Sequence, residues 1–203
     1  TYMSANKLLL PIPDYYGVNS DISKNMYLKN GIPSEKLVSI EALRYLHLNQ
    51  SSECALKNLN INKYKVLLLG DIIKTNTLEQ LRIFKQSLKY IRKPIQYILK
   101  PHPATPITAK DCPDLDIIIT NKSINEIIDC CQLAFATSTT SASFDAYYFG
   151  VKVVTVINQQ ELNASPLRGF KDAVFVSTPR ELANVINDID RIKKEPKIRE
   201  NIL

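Results

Sequence analysis

From Tyr64 to the C-terminus, short runs of β-branched and apolar residues alternate with longer amphipathic stretches, and this alternation restricts the fold more than any other feature. Strands that recur after helix-length intervals are joined by crossovers, which makes them parallel neighbours in one sheet. Six strands are predicted: Lys65–Leu69, Ile95–Leu99, Asp116–Ile119, Leu133–Ala136, Val151–Val156 and Ala173–Val176. Thr77 to Phe84 carries apolar residues at helical spacing behind a threonine able to cap the first turn. Ser123 and Glu126 stand in capping-box order and open a helix over Ile124–Cys130. A third helix begins near Thr139–Ser141 and ends at Gly150, a residue suited to the left-handed position after a helix. The last starts at Pro179, a favoured first helical residue, and runs through Leu182, Val185, Ile186 and Ile189. The expected class is α/β, a doubly wound and mostly parallel sheet of Rossmann-like type over residues 63–203.

Residues 1–62 read differently. Leu8–Pro13 is an extended run with two prolines, Ser20–Asn30 is a helix ending before Gly31-Ile32-Pro33, and Leu37–Ile40 is a strand. That is one βαβ-like unit without its partners. The expectation is a remnant of, or a link to, an N-terminal domain missing from this chain.

With 203 residues, 45% of them apolar, the chain has enough material for a core. No apolar run approaches the roughly 20 residues that span a bilayer, and Thr1 to Lys7 lacks a signal-peptide pattern, so the expected compartment is the cytoplasm. Cys54, Cys112, Cys130 and Cys131 include no CxxC pair, and His47 and His102 are isolated from them, so no metal site is expected and the cysteines read as reduced thiols. The formal charge of +6 is spread among scattered lysines and reads as a solvated basic surface, compatible with the inner face of a membrane. No basic and aromatic cluster or finger motif supports nucleic-acid binding.

In open α/β sheets ligands bind beyond the carboxyl ends of the strands, and two motifs fall there. Lys100-Pro101-His102-Pro103 follows the second predicted strand. The prolines hold the backbone on either side of His102, whose imidazole serves either as a donor to a phosphate oxygen or as a turn histidine bonded to a nearby carbonyl. Thr137-Ser138-Thr139-Thr140-Ser141 follows the fourth strand, where hydroxyls and free N–H groups at a helix start suit an anion, the alternative being plain N-capping by Ser138 or Thr139. Asp145 lies one turn beyond Ser141, in reach of a ribose hydroxyl or simply a favourable acid near a helix start. Gly70-Asp71 closes the first strand, where a small residue lets a ligand or a facing domain approach the backbone, the alternative being an ordinary strand-ending turn. Ser165 and Arg168 occupy the polar loop after the fifth strand, where the arginine either partners a phosphate or carboxylate or is an ordinary surface arginine. Glu41 and Arg44 either line a cleft or pair with each other.

Taken together these motifs resemble the nucleotide-binding half of GT-B glycosyltransferases, in particular bacterial enzymes of surface carbohydrate biosynthesis. The carriers are Gly31 to Leu37 with Glu41 to Tyr45, then Lys100 to Pro103, Thr140 to Gly150 and Asn163 to Gly169. The His-Pro pair ahead of a Ser/Thr-rich helix start is also similar to the CMP-binding arrangement of bacterial sialyltransferases and Kdo transferases. That resemblance implies that His102 and Pro103 meet the cytidine phosphate and base, that Ser138 to Ser141 hold phosphate, and that Asp145 stands where many GT-B enzymes place a ribose-binding glutamate. It implies a metal-independent transfer from a nucleotide-sugar, CMP-linked and acidic, to a glycan acceptor, with the catalytic base on the other domain. A nucleotide-sugar epimerase and a non-catalytic nucleotide-binding module are the competing expectations.

Overall fold

The structure, a computed structural model, describes residues 12–40, 53–57, 59–158, 160, 162–170 and 172–192. Glu41 to Tyr45 and most of the Leu8–Pro13 run lie outside the described residues. The chain divides into two compact units, with residues 12–40 in one and 53–192 in the other.

In the first unit, strand β1 (Tyr16–Val18), helix α1 (Asp21–Lys29) and strand β2 (Leu37–Ser39) form one parallel βαβ unit. Ser20 caps α1 by accepting the Ser23 N–H, and Gly31 at φ 84° turns the chain back toward Ile32, which is buried. Tyr16 and Tyr27 bring their ring centroids 5.4 Å apart between strand and helix, with the planes tilted by 47°.

The second unit contains β3 (Tyr64–Leu69), α2 (Lys74–Ser87), β4 (Ile95–Lys100), β5 (Ile117–Ile119), α3 (Ile124–Ile127), β6 (Leu133–Thr137), α4 (Ala142–Tyr148), β7 (Lys152–Val156), β8 (Val174–Val176) and α5 (Pro179–Asn187). All six strands pair in parallel in the order β5-β4-β3-β6-β7-β8. The six predicted strands are all present, with ends differing by one residue or so. Because side chains alternate along a strand, Val66, Leu68 and Phe135 face one side while Leu67, Leu69 and Ala134 face the other. The first side is covered by α2 and α5 through Leu81, Phe84, Leu182 and Ile186, and the second by α3 and α4 through Ile127, Ala146 and Tyr147. Residues fully removed from water, such as Phe84, Phe135, Leu67 and Leu182, form the centre of both layers.

Three local expectations change. Thr77 does not cap α2, which begins earlier, at Lys74, and has no side-chain cap. Thr77 is buried inside the helix, where its hydroxyl accepts the Asp71 N–H at 2.8 Å. The Ser123–Glu126 capping box forms, but the helix it opens tightens into a 3-10 turn over Ile128–Cys130. Cys54 and Cys130, expected as thiols, form a disulfide with Cα atoms 5.7 Å apart, beside the Ala55 N–H bond to the Glu126 carbonyl at 2.7 Å. No helix among the described residues is long and apolar enough to cross a membrane.

Candidate functional site

Strands β3 and β6 are neighbours, yet the connection from β3 runs to one side of the sheet and that from β6 to the other. At such a reversal the loops leaving the two strands diverge and open a crevice. The loop after β3 carries Gly70 and Asp71, and the loop after β6 carries Thr137 to Ser141.

The two loops are tied together by a buried carboxylate. Asp71 is fully buried, and its Oδ2 accepts short hydrogen bonds from the hydroxyls of both Thr137 and Thr139. Its Oδ1 accepts the Ile73 N–H at 2.8 Å. Burial pushes the Asp71 carboxyl up, but the hydroxyls of Thr137 and Thr139, the Ile73 N–H and Asn76 outweigh it and hold the group below the ordinary carboxylate range. Thr140 adds a bond from its hydroxyl to the Gly70 carbonyl at 3.3 Å. The threonine hydroxyls are thus turned onto the carboxylate, and α4 has no side-chain cap. Ser138 and Thr139 therefore do not serve as the N-caps that one reading allowed. With their protons turned onto Asp71, these hydroxyls can serve any further partner only as acceptors, and Thr139 Oγ1 already accepts the Asn76 Nδ2–H at 3.4 Å.

Gly70 is required by a neighbour. A Cβ built there meets the His102 backbone nitrogen at 2.9 Å and the Pro101 Cα at 3.0 Å, so the backbone that approaches Gly70 is the His-Pro segment of this chain rather than the ligand or facing domain expected there. The His102 turn is braced by the Thr105 N–H to its carbonyl at 2.9 Å and by the Thr105 hydroxyl to the Ile72 carbonyl at 2.6 Å. His102 Nδ1 accepts the Ala104 N–H at 3.2 Å, which leaves Nε2 as the N–H donor of the half-buried ring. Pro103 is exposed beside it. Lys100 is half-buried, and desolvation lowers its ammonium pKa against the opposing pull of the Glu126 carboxylate.

A cavity of about 510 Å³ opens beside these loops, walled by the first turns of α2, by Thr137 to Thr139, and by the loops that follow β7 and β8. Its wall includes Asn76, Gln80, Asn158, Ser177 and Thr178. Of the described residues expected from sequence, Thr137, Ser138 and Thr139 line it. Ser165 and Arg168 have local roles. Ser165 is buried and its hydroxyl accepts the Leu167 N–H at 3.2 Å, while the exposed Arg168 guanidinium donates to the Asn163 carbonyl at 3.2 Å. Asp145 is half-buried in α4, one turn beyond the exposed Ser141.

No family model matches the chain, and no curated protein matches it. Solved structures do. UDP-GlcNAc 2-epimerase from Neisseria meningitidis bound to UDP-GlcNAc superposes with TM-score 0.65 and 10% identity over 94% of this chain and 58% of that one. A glycosyltransferase from Rickettsia africae gives TM-score 0.56 and 13% identity over 94% and 57%. Anabaena Alr3699/HepE in complex with UDP and glucose gives 0.51 and 15% over 94% and 57%. The chain carries the Rossmann-like half of a GT-B fold. It spans somewhat more than half the length of these structures.

Within this GT-B half, sequence reasoning found the two loops at the strand reversal and missed the far wall of the cavity. Gln80 was the available signal. Thr77, Gln80, Leu81 and Phe84 are spaced three, four and seven apart, which puts an amide on the core-facing stripe of α2, and all four are buried.

Proposed function

We propose that this chain is the donor-binding portion of a glycosyltransferase, which takes a sugar from a nucleotide-sugar and passes it to a surface polysaccharide or lipid-linked glycan. The observation that carries the reading is the convergence of Gly70-Asp71, Thr137–Thr140 and His102 at the strand reversal of a GT-B half, where ligands of open α/β sheets bind. In the transfer an acceptor hydroxyl attacks the anomeric carbon, the sugar–phosphate bond breaks, and the electron pair leaves with the nucleotide. The His102 Nε2–H is a fixed donor for the departing phosphate. The base that takes the acceptor proton belongs, in this reading, to an N-terminal acceptor domain. Charge neutralisation by donors of the protein makes the transfer independent of metal, and activity in excess chelator tests that part.

The nucleotide base is decided by titration. CMP follows from the likeness of the sequence motifs, and UDP from the ligands named with two of the solved structures. Calorimetry with CMP, UDP and GDP on this chain and on His102→Ala should give binding of one nucleotide that the substitution weakens at least tenfold, about 1.4 kcal/mol. A folded chain that binds none of the three would refute the reading. An epimerase reading is favoured by one observation, the TM-score of 0.65 to the Neisseria meningitidis enzyme. Turnover of the donor without any acceptor would select it.

A further inference from the structure

Among the described residues, the walls of the 510 Å³ cavity are polar but almost without usable charge. Its size lies within the range of about 300–1,000 Å³ in which small-molecule sites fall. Arg82 is the cation among its described lining residues, and it is bound by Glu79 through two bonds of 2.7 and 2.6 Å. Behind the wall, besides the lining Glu79, stand two further carboxylates. Asp71 lies directly behind Thr137 and Thr139. Glu181 accepts the N–H groups of Ser177 at 2.7 Å and Thr178 at 3.2 Å, and so occupies the amides with which the start of α5 would otherwise attract an anion.

Gln80 supplies the independent observation. It is fully buried, its Nε2 donates to the Phe135 carbonyl at 2.7 Å, and its Oε1 has no hydrogen-bond partner although the residue lines the cavity. A buried acceptor left unmatched is costly, and the partner it lacks is a donor. The Phe135 bond fixes which end of the amide this is, because a flipped group would set two oxygens against each other. The unmatched acceptor on Gln80, in a wall that also carries Asn76 and Thr139 bonded to each other at 3.4 Å, suits a ligand that brings a hydroxyl or amide proton.

We propose that this cavity holds the glycosyl group of the donor and that it is built for an uncharged pyranose, with Gln80 Oε1 accepting a sugar hydroxyl or amide proton. The inference rests on the donor-binding reading above and departs from the acidic sugar that the sequence motifs imply. A sugar carboxylate would face a wall backed by Asp71 and Glu181, with the one cation among the described lining residues already paired.

The test separates nucleotide from sugar. Bare CMP, UDP and GDP are titrated first, and a folded chain that binds none of them overturns both the donor-binding reading and this inference. The nucleotide that binds is then compared with its conjugates: UDP-glucose, UDP-N-acetylglucosamine and UDP-glucuronate, GDP-mannose and GDP-mannuronate, or CMP-N-acetylneuraminate. We expect a neutral conjugate to bind about tenfold tighter than its bare nucleotide and the acidic one no tighter than it. In Gln80→Leu the ratio of conjugate to nucleotide affinity should fall toward one. Asn76→Ala, at a half-exposed position, should lower the same ratio if Gln80→Leu does not fold. Nucleotide binding with no gain from a neutral sugar, or a gain from the acidic one, overturns this inference and leaves the donor-binding reading standing.

Discussion

The Thr137 hydroxyl donates to the carboxylate of Asp71 across the reversal point of the sheet, although 66 residues separate them in the chain. Through Thr139 the same carboxylate also fixes the start of the loop beyond β6. One buried charge therefore sets the spacing of the two loops that form the crevice.

Because the folded-state pKa of Asp71 is lowered from 3.8, its contribution to stability is present above that value and is lost as pH falls through the folded-state value. Asp71→Asn should lose about 1–3 kcal/mol at pH 7. The gap to the native protein should narrow in acid, below the ordinary carboxylate range. Denaturant melts at neutral and acidic pH check this, and a gap that stays constant with pH would contradict it.

Gly70→Ala places a methyl group 2.9 Å from the His102 nitrogen and 3.0 Å from the Pro101 Cα, both backbone atoms that cannot rotate away. The ends of β3 and β4 must then separate, at a cost of about 1–3 kcal/mol. A lowered thermal midpoint together with weakened nucleotide binding is expected. A variant as stable as the native chain would show that this approach is not constraining.

His102 is held by a bond to Nδ1, so the function assigned to it belongs to the Nε2 proton. His102→Gln can present an N–H at a similar reach, whereas His102→Ala presents none. Glutamine should recover part of the nucleotide affinity that alanine loses, as read by calorimetry. Equal losses in the two variants would mean that the ring packs rather than donates.

The Cys54–Cys130 disulfide closes a separation of 76 residues. Non-reducing denaturation followed by thiol titration should find two thiols per chain, at Cys112 and Cys131, and not four. Cys54→Ser should lower stability by about 2–4 kcal/mol under oxidising conditions and by little in reductant. Four titratable thiols in the untreated protein would rule the disulfide out.

The strands of the second unit were legible because their signal is local: a run such as Val66 to Leu69 must be strand or helix, and its length and spacing select strand. The capping box of Ser123 and Glu126 and the start of α5 at Pro179 were legible for the same reason, since a cap is satisfied within four residues. The sequence also marked the strand ends after Leu99 and Ala136 as places where loops leave the sheet, whereas the loop after Leu69 read equally as an ordinary turn. It did not reveal that Thr77 turns inward to Asp71, that Thr137 and Thr139 are spent on a carboxylate, or that Cys54 meets Cys130. Each of those pairings joins residues through the order β5-β4-β3-β6-β7-β8 or through a packed layer, and side-chain partners at such separations carry no periodic mark. What the sequence by itself determined is the α/β class and the placing of its loops, because hydrophobic period and caps act over one or two turns of chain. Only the tertiary structure decided which polar groups answer one another, because burial makes each buried donor or acceptor seek whatever partner the packing brings within 3 Å or so.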